Sequence, residues 1–124
     1  MALRGLRGAT TVETNTPDAI RKATRELLTE MIEANEIHRE DIASAWFTTT
    51  TDLNAEFPAV VARNDFGWTN VALMCAHELD VPGSLQMCLR ILMHVNTERA
   101  QDEMHFIYQR EARRLRPDID NRQD

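Results

Sequence analysis

A helical hydrophobic repeat that follows Thr16 constrains the fold of this chain more than any other feature. Apolar residues recur there three and four positions apart, which is the spacing of a helix with one buried face. They are Ile20, Ala23, Leu27, Leu28, Met31 and Ile32. Thr16 is a favourable N-cap, and Pro17 suits the first helical position. The sequence therefore predicts one long amphipathic helix that needs a second layer to cover its apolar face.

The second layer is predicted to be a β-sheet. Its clearest strand is Cys88–Asn96, which alternates with a period of two. One face of this strand carries Leu89, Ile91, Met93 and Val95, and the other carries Cys88, Arg90, Leu92 and His94. Further strands are predicted at Ala2–Val12 and Ile42–Thr50, and Val71–Cys75 is predicted to be a short buried strand.

The remaining elements are shorter. Pro58 suits the start of a short helix that Gly67 would end, whereas Gln101–Tyr108 fits a strand or a helix equally well. Strands and helices interleave, which indicates a mixed α/β (α+β) fold: a single-domain mixed sheet with one long and one or two short helices. We expect one domain over residues 1–124, with the charged tail from about residue 113 loosely ordered.

Composition excludes several classes of protein. The 124 residues include 14 basic and 20 acidic side chains, and the net charge of −6 argues against a general nucleic-acid or anionic-membrane surface. The longest apolar run, Val71–Ala76, is far too short to span a bilayer, and we recognise no signal or transit peptide. The two cysteines, Cys75 and Cys88, are too far apart for a C-x-x-C pair, so we expect a reduced, cytoplasmic protein.

Two arginines in predicted strands are candidates for a ligand site. Arg90 lies between apolar neighbours, and a buried guanidinium needs an anion. Arg90 is interpreted as part of an interface salt bridge, as a residue on a solvated strand face, or as an anchor for an anionic ligand. Arg7 is flanked by Gly5 and Gly8, which allow another backbone or a ligand to approach closely. The basic cluster near the end of the chain is either a solvated tail or an aid to anion binding; it comprises Arg113, Arg114 and Arg116.

Other reactive side chains have less specific patterns. Glu78 follows a predicted strand, at the start of a loop. It is either a ligand contact or an ordinary surface carboxylate. Cys75 has no evident base partner, which favours a small buried hydrophobe over a nucleophile. Tyr108 and the run Thr48–Thr51 are interpreted as a half-buried aromatic residue and a strand end. A zinc site is disfavoured because no recognised ligand spacing occurs among Cys75, His77, Glu78, Cys88 and His94.

Motifs for covalent and nucleotide chemistry are absent from the sequence. There is no Ser-His-Asp set, no P-loop and no Rossmann glycine fingerprint. What remains is a set of arginines with one glutamate, which is suited to electrostatic work on a small polyanion.

Several separated motifs resemble one known family, the monofunctional bacterial chorismate mutases of the trimeric α/β-barrel type. The first is the N-terminal run Arg4-Gly5-Leu6-Arg7-Gly8-Ala9-Thr10-Thr11-Val12-Glu13. The others are Phe57-Pro58-Ala59 with Arg63, Gly67-Trp68, Cys75 with Glu78, Asp80-Val81, Gly83, Cys88 with Arg90, Tyr108 and Leu115-Arg116-Pro117-Asp118. They occur in the same order as in the family and cover the chain from Leu3 to about Asp118.

The resemblance implies an assembly and a reaction. The assembly is a homotrimeric pseudo-α/β barrel with active sites at the subunit interfaces, so that each pocket draws residues from two chains. The reaction is the intramolecular Claisen rearrangement of chorismate to prephenate, on the way to phenylalanine and tyrosine. It needs no cofactor, metal or nucleophile.

The resemblance also implies residue roles. Arg90 would donate to the ether oxygen of chorismate, and Glu78 would accept from the ring hydroxyl and favour the developing positive charge. Arg7 would bind a carboxylate and Tyr108 would supply a phenolic donor. The other implied contacts are Cys75 beside the ring, Phe57 and Leu115 as pocket walls, and Arg63 and Arg116 closing over the ligand.

The sequence departs from the family pattern at two positions. Val60 stands where a basic residue is common, and Met74 stands where a hydroxyl residue is common. Two other hypotheses remain: a non-catalytic trimeric binder of small carboxylates, and an imine deaminase of similar barrel architecture. The presence of both Arg90 and Glu78 favours the mutase, because a carboxylate sensor needs only the arginines.

Overall fold

A computed structural model of the protein describes residues 1–115, in which a long helix packs on one face of a sheet. In chain order its elements are β1 (Ala2–Thr11), α1 (Pro17–Asn35), a 3₁₀ helix (Arg39–Asp41), β2 (Ile42–Thr49), α2 (Ala59–Asp65), β3 (Ala72–His77), β4 (Cys88–Thr97), a 3₁₀ helix (Gln101–Glu103), β5 (Ile107–Tyr108) and a 3₁₀ helix (Arg110–Leu115).

The five strands form a mixed sheet in the order β3-β2-β4-β1-β5. Strand β4 lies in the centre and runs antiparallel to both β1 and β2. The edge strands β3 and β5 run parallel to β2 and β1. This mixed sheet with few helices confirms the predicted mixed α/β fold class.

Helix α1 begins and packs as its sequence predicts. The Thr16 side chain accepts a hydrogen bond from the Ala19 backbone at 3.2 Å and caps the helix. Its apolar residues bury themselves against the sheet residues Leu6, Phe47 and Ile91. The burial of this face stabilises the helix, because most helical stability in proteins comes from the packing of an amphipathic face.

The opposite face of the sheet is only partly covered. Near β5 the last 3₁₀ helix packs on it, with Ala112 fully buried. Elsewhere on this face large apolar side chains are exposed: Trp46 to 39%, Met74 to 56% and Leu92 to 37%. We refer to this surface, defined by Trp46, Met74 and Leu92, as the open face.

Strand β3 corrects one expectation. The apolar run Val71–Cys75 was expected to be a buried strand, but β3 is an edge strand in which all six residues are exposed or half-buried. Leu73 and Cys75 pack against the core, whereas Met74 points to the open face. An apolar run does not by itself distinguish a strand buried on both faces from one with a second surface exposed.

The structure resolves the ambiguous segment Gln101–Tyr108. Gln101–Tyr108, which fits either a strand or a helix, divides into a 3₁₀ turn and the two-residue strand β5. Residues 113–115, within the tail expected to be loose, complete the last 3₁₀ helix. No helix among the described residues is long and apolar enough to cross a membrane.

Candidate active site

Strand register places Arg90 on the open face, near the start of the central strand β4. Arg90 of β4 pairs with Ala9 of β1 on one side and with Thr48 of β2 on the other. Paired residues of neighbouring strands point to the same face, so Thr48 and Arg90 are side by side. The Cys88 thiol also lies beside the Arg90 guanidinium: burial raises the pKa of this thiol, and the guanidinium charge opposes the shift.

Glu78 reaches the same place from the end of β3. Its backbone N–H donates to the Thr49 carbonyl at 2.8 Å, which holds the residue against β2. The Thr48 hydroxyl donates a hydrogen bond to Glu78 Oε2. Arg90 Nε lies 3.8 Å from the same oxygen, and both side chains are about 70% buried, with exposures of 29% for Arg90 and 27% for Glu78. The two opposite charges therefore form an ion pair whose separation is too long for a hydrogen bond.

A groove on the open face joins this pair to Arg7. Arg7 of β1 pairs with Leu92 of β4, which is two residues along the strand from Arg90 and on the same face. The groove has a volume of ≈ 320 Å³ and is lined by Arg7, Trp46, Thr48, Glu78, Arg90, Ile91 and Leu92. Two guanidinium groups against one carboxylate give it a net positive charge, although the whole chain has a net charge of −6. A small anion with an apolar body would fit this combination of charge and lining.

Cys75 faces the other side of the sheet. It pairs with Phe47, which is fully buried in the core beneath the helices. Burial raises the pKa of the Cys75 thiol, and hydrogen bonding to the Ala59 backbone and the charge of Arg63 oppose this shift. A second cavity of ≈ 320 Å³ lies at this edge, and its lining includes Phe57, Cys75 and His77. The groove and this second cavity are therefore separate hollows on either side of β3.

The described residues contain no cluster of three or more His, Cys, Asp and Glu side chains that could hold a metal ion. His77 and Cys75 belong to the second cavity, whereas Glu78 and Cys88 lie on the open face. The arrangement can act through charge, hydrogen bonding and shape.

Comparison with known proteins identifies the family. The family model described as chorismate mutase type I matches residues 3–119. The chain belongs to the chorismate mutase type I family. The curated chorismate mutase AroH of Thermus thermophilus is 50% identical over 122 residues, which is 98% of this chain and 99% of that protein. The AroH protein of Bacillus subtilis strain 168 is 41% identical over 119 residues, or 96% and 94% of the two chains.

A solved structure agrees with this membership. A chorismate mutase from Clostridium thermocellum superposes with a TM-score of 0.87 at 50% identity, covering 90% of this chain and 98% of that chain. The predicted resemblance is confirmed, and the protein is an enzyme of the isomerase type to which chorismate mutases belong.

The site residues that were predicted from the sequence lie in separate parts of the structure. Arg7, Glu78 and Arg90 line one groove, and Phe57 and Cys75 line the other cavity. Arg63 lies in α2, close enough to Cys75 for its charge to act on the thiol. Of the two departures from the family pattern, Val60 is half-buried in α2 and Met74 is exposed on β3.

The predicted contacts from the C-terminal part lie beside the groove or beyond the described residues. Tyr108 is fully buried with Ala9 and Ala112, and Leu115 packs against this cluster. Because Ala9 pairs with both Tyr108 and Arg90, the cluster is on the side of the sheet that carries Arg90. Arg116 lies outside the described residues.

Thr48 was not predicted to be a site residue, because the run Thr48–Thr51 was interpreted as a strand end. The alternation of exposed and buried residues along Ile42–Thr49 places Thr48 on the same face as Trp46. The alternation shows which face of the sheet Thr48 lies on. Its contact with Glu78, however, depends on how β2, β3 and β4 pair. Sequence alone does not contain this register.

Proposed function

We propose that this protein converts chorismate to prephenate by an intramolecular Claisen rearrangement, in the cytoplasmic biosynthesis of phenylalanine and tyrosine. One observation carries the proposal: Arg7, Glu78 and Arg90 line a single groove of suitable size. Chorismate is a small dicarboxylate, and this groove combines positive charge with apolar walls. Neither a nucleic acid nor a membrane takes part, and the reaction needs no cofactor.

Catalysis follows from charge matching. In the transition state the breaking ether bond gathers negative charge on oxygen while the ring fragment becomes partly positive. The Arg90 guanidinium donates to the ether oxygen, and Glu78 accepts from the ring hydroxyl and favours the positive fragment. Both interactions strengthen as the charges separate, so they lower the barrier more than they stabilise bound chorismate.

Binding residues hold the compact conformer in which the two reacting carbons meet. Arg7 binds a carboxylate, Tyr108 supplies a phenolic donor, and Cys75 positions one side of the ring. Phe57 and Leu115 form walls, while Arg63 and Arg116 close over the ligand and exclude water. Holding the reacting ends together removes much of the entropic cost of reaching the transition state.

The active form is proposed to be a homotrimeric pseudo-α/β barrel with its sites between subunits. Two features of the chain support this. Cys75 faces the opposite side of the sheet from Glu78, so that one chain cannot direct both side chains at one ligand. The exposed Trp46, Met74 and Leu92 form an apolar surface that a second copy would cover.

The test follows the loss of chorismate ultraviolet absorbance after addition of purified protein, with the product identified as prephenate. We expect fast loss with the wild type and turnover lower by about 10²- to 10³-fold in Arg90→Ala, the effect of removing one oxyanion donor. Arg25→Ala is the matched control, because Arg25 pairs with Asp65 on the surface away from the groove. Wild-type turnover in Arg90→Ala would refute the role of Arg90.

The same assay separates the mutase from the competing hypothesis. A folded trimer that binds chorismate in calorimetry but leaves its absorbance unchanged would be a non-catalytic carboxylate binder. The combination of Arg90 with Glu78 in one groove favours the mutase, because a binder has no use for a carboxylate facing an anionic ligand.

A further inference from the structure

We propose that Thr48 is a positioning residue that holds the Glu78 carboxylate away from Arg90, so that both charged groups remain available to the substrate. The proposal rests on the proposed function and deepens it. In the sheet, Thr48 pairs with Arg90 of β4 on one side and with Ala76 of β3 on the other.

Two contacts fix Glu78 to β2. The Thr48 hydroxyl donates to Glu78 Oε2, and the Glu78 backbone N–H donates to the Thr49 carbonyl at 2.8 Å. The side-chain contact determines where the carboxylate lies, because the backbone contact alone leaves the side-chain torsions free. A β-branched residue suits this task, since its own torsion is restricted in a strand.

Arg90 offers the carboxylate a competing partner. The Arg90 Nε is buried and donates no hydrogen bond to any described residue. It lies 3.8 Å from the oxygen that Thr48 holds. A shift of about 1 Å would close this gap to a charge-assisted hydrogen bond, which is short and strong. The Thr48 hydroxyl occupies Oε2 and opposes that collapse.

The consequence concerns the transition state more than binding. A Glu78 carboxylate hydrogen-bonded to Arg90 would neutralise the guanidinium that faces the ether oxygen and would leave the ring hydroxyl without an acceptor. Arg7 would still bind a substrate carboxylate. Loss of the Thr48 hydroxyl therefore lowers kcat more than it raises KM.

The experiment compares Thr48→Val, which keeps the shape and removes the hydroxyl, with Thr48→Ser, which keeps the hydroxyl. We expect kcat to fall about tenfold in Thr48→Val, the worth of a hydrogen bond to a charged group, with KM changed by less than about threefold. Thr48→Ser should retain most of the wild-type kcat. Thr29→Val is the matched control, because Thr29 lies in α1 and its hydroxyl makes no hydrogen bond to the described residues.

A double-mutant cycle tests the route through Glu78. In a Glu78→Ala background Thr48→Val should change kcat by less than about twofold, because the carboxylate that Thr48 holds is gone. Melting temperatures are recorded for each variant, and Thr48→Ala replaces Thr48→Val in every comparison if the valine variant does not fold.

Several outcomes would overturn the proposal. They are a wild-type kcat in Thr48→Val, a kcat of Thr48→Ser as low as that of Thr48→Val, and an equal loss with and without Glu78. Any of these with an active wild type overturns the positioning role alone. A folded wild-type protein that leaves chorismate unchanged overturns the proposed function and this inference together.

Discussion

The ionisation of the Cys75 thiol limits what this side chain does at a site. Burial raises its pKa, and the charge of Arg63 only partly opposes the shift. The thiol is therefore neutral at pH 7, whereas a nucleophilic cysteine needs a lowered pKa. Cys75 is thus suited to contact a ring or to donate a weak hydrogen bond. This agrees with the proposed rearrangement, which forms no covalent bond to the enzyme.

The raised pKa predicts the pH dependence of alkylation at Cys75. Because only the thiolate reacts and the folded-state pKa lies above the ordinary value, iodoacetamide should label Cys75 slowly at pH 7. The rate should rise as pH increases, with its midpoint at higher pH than for the same cysteine in denaturant. Mass spectrometry of the labelled peptide measures the rate, and the fully buried Cys88 should react more slowly still. Labelling at pH 7 as fast as that of the denatured chain would contradict the argument.

Individual site residues could be predicted from the sequence where the polarity of a side chain conflicted with that of its neighbours. Arg90 could be singled out because a guanidinium in an apolar strand requires an anion, and Glu78 does lie 3.8 Å from it. Thr48 presented no such conflict, because threonine is common in strands. Its contact with Glu78 exists only after β2, β3 and β4 have paired, which the local sequence does not encode.

Gly8 controls how closely α1 packs on β1. A Cβ at this position would overlap the Met31 thioether sulfur and lie 3.1 Å from Leu27 Cδ1. We therefore expect Gly8→Ala to lower the free energy of unfolding by about 1–3 kcal/mol, as overpacking does in a dense core. Denaturant unfolding at fixed protein concentration measures the change.

A second variant distinguishes crowding from a backbone effect. If the Met31 side chain causes the cost, Gly8→Ala should cost less in a Met31→Ala background than in the wild type, because the truncated residue leaves room. Equal costs in both backgrounds would show that contact with Met31 is not the cause.

Elements were predictable to the extent that local signals define them. The Thr16 cap and the helical repeat predicted α1, and the alternation of Cys88–Asn96 predicted β4, which extends one residue further to Thr97. The burial of β3 was predicted wrongly because its position at the sheet edge is a property of the topology. The ambiguity over Gln101–Tyr108 was resolved by pairing of Gly8 and Ala9 with Ile107 and Tyr108, a contact between the two ends of the chain.

At the scale of the whole molecule, the two hollows on either side of β3 set the requirements for assembly. The groove contains Arg7, Glu78 and Arg90, and the second cavity contains Phe57 and Cys75 with Arg63 nearby. In the proposed ring of three identical chains, every interface is head-to-tail, so the groove of one subunit would face the second cavity of its neighbour in one direction only. The family resemblance implied that each pocket draws residues from two chains, without assigning residues to either chain, and composition and periodicity contained no information on assembly.

Mixed trimers of two defective chains provide a quantitative prediction. Arg90→Ala disables the groove half of a site, and Arg63→Glu disables the other half. We expect each variant alone to be nearly inactive and to have a mass close to three times 14.2 kDa by light scattering. The two chains are co-expressed with different tags and purified over both tags, so that every trimer contains each variant. Around such a ring exactly one interface joins an intact groove to an intact second half, so turnover should recover to about one third of the wild-type value. Mixed trimers no more active than the two variants alone would place each complete site within a single chain, and a monomeric mass would contradict the interfacial arrangement altogether.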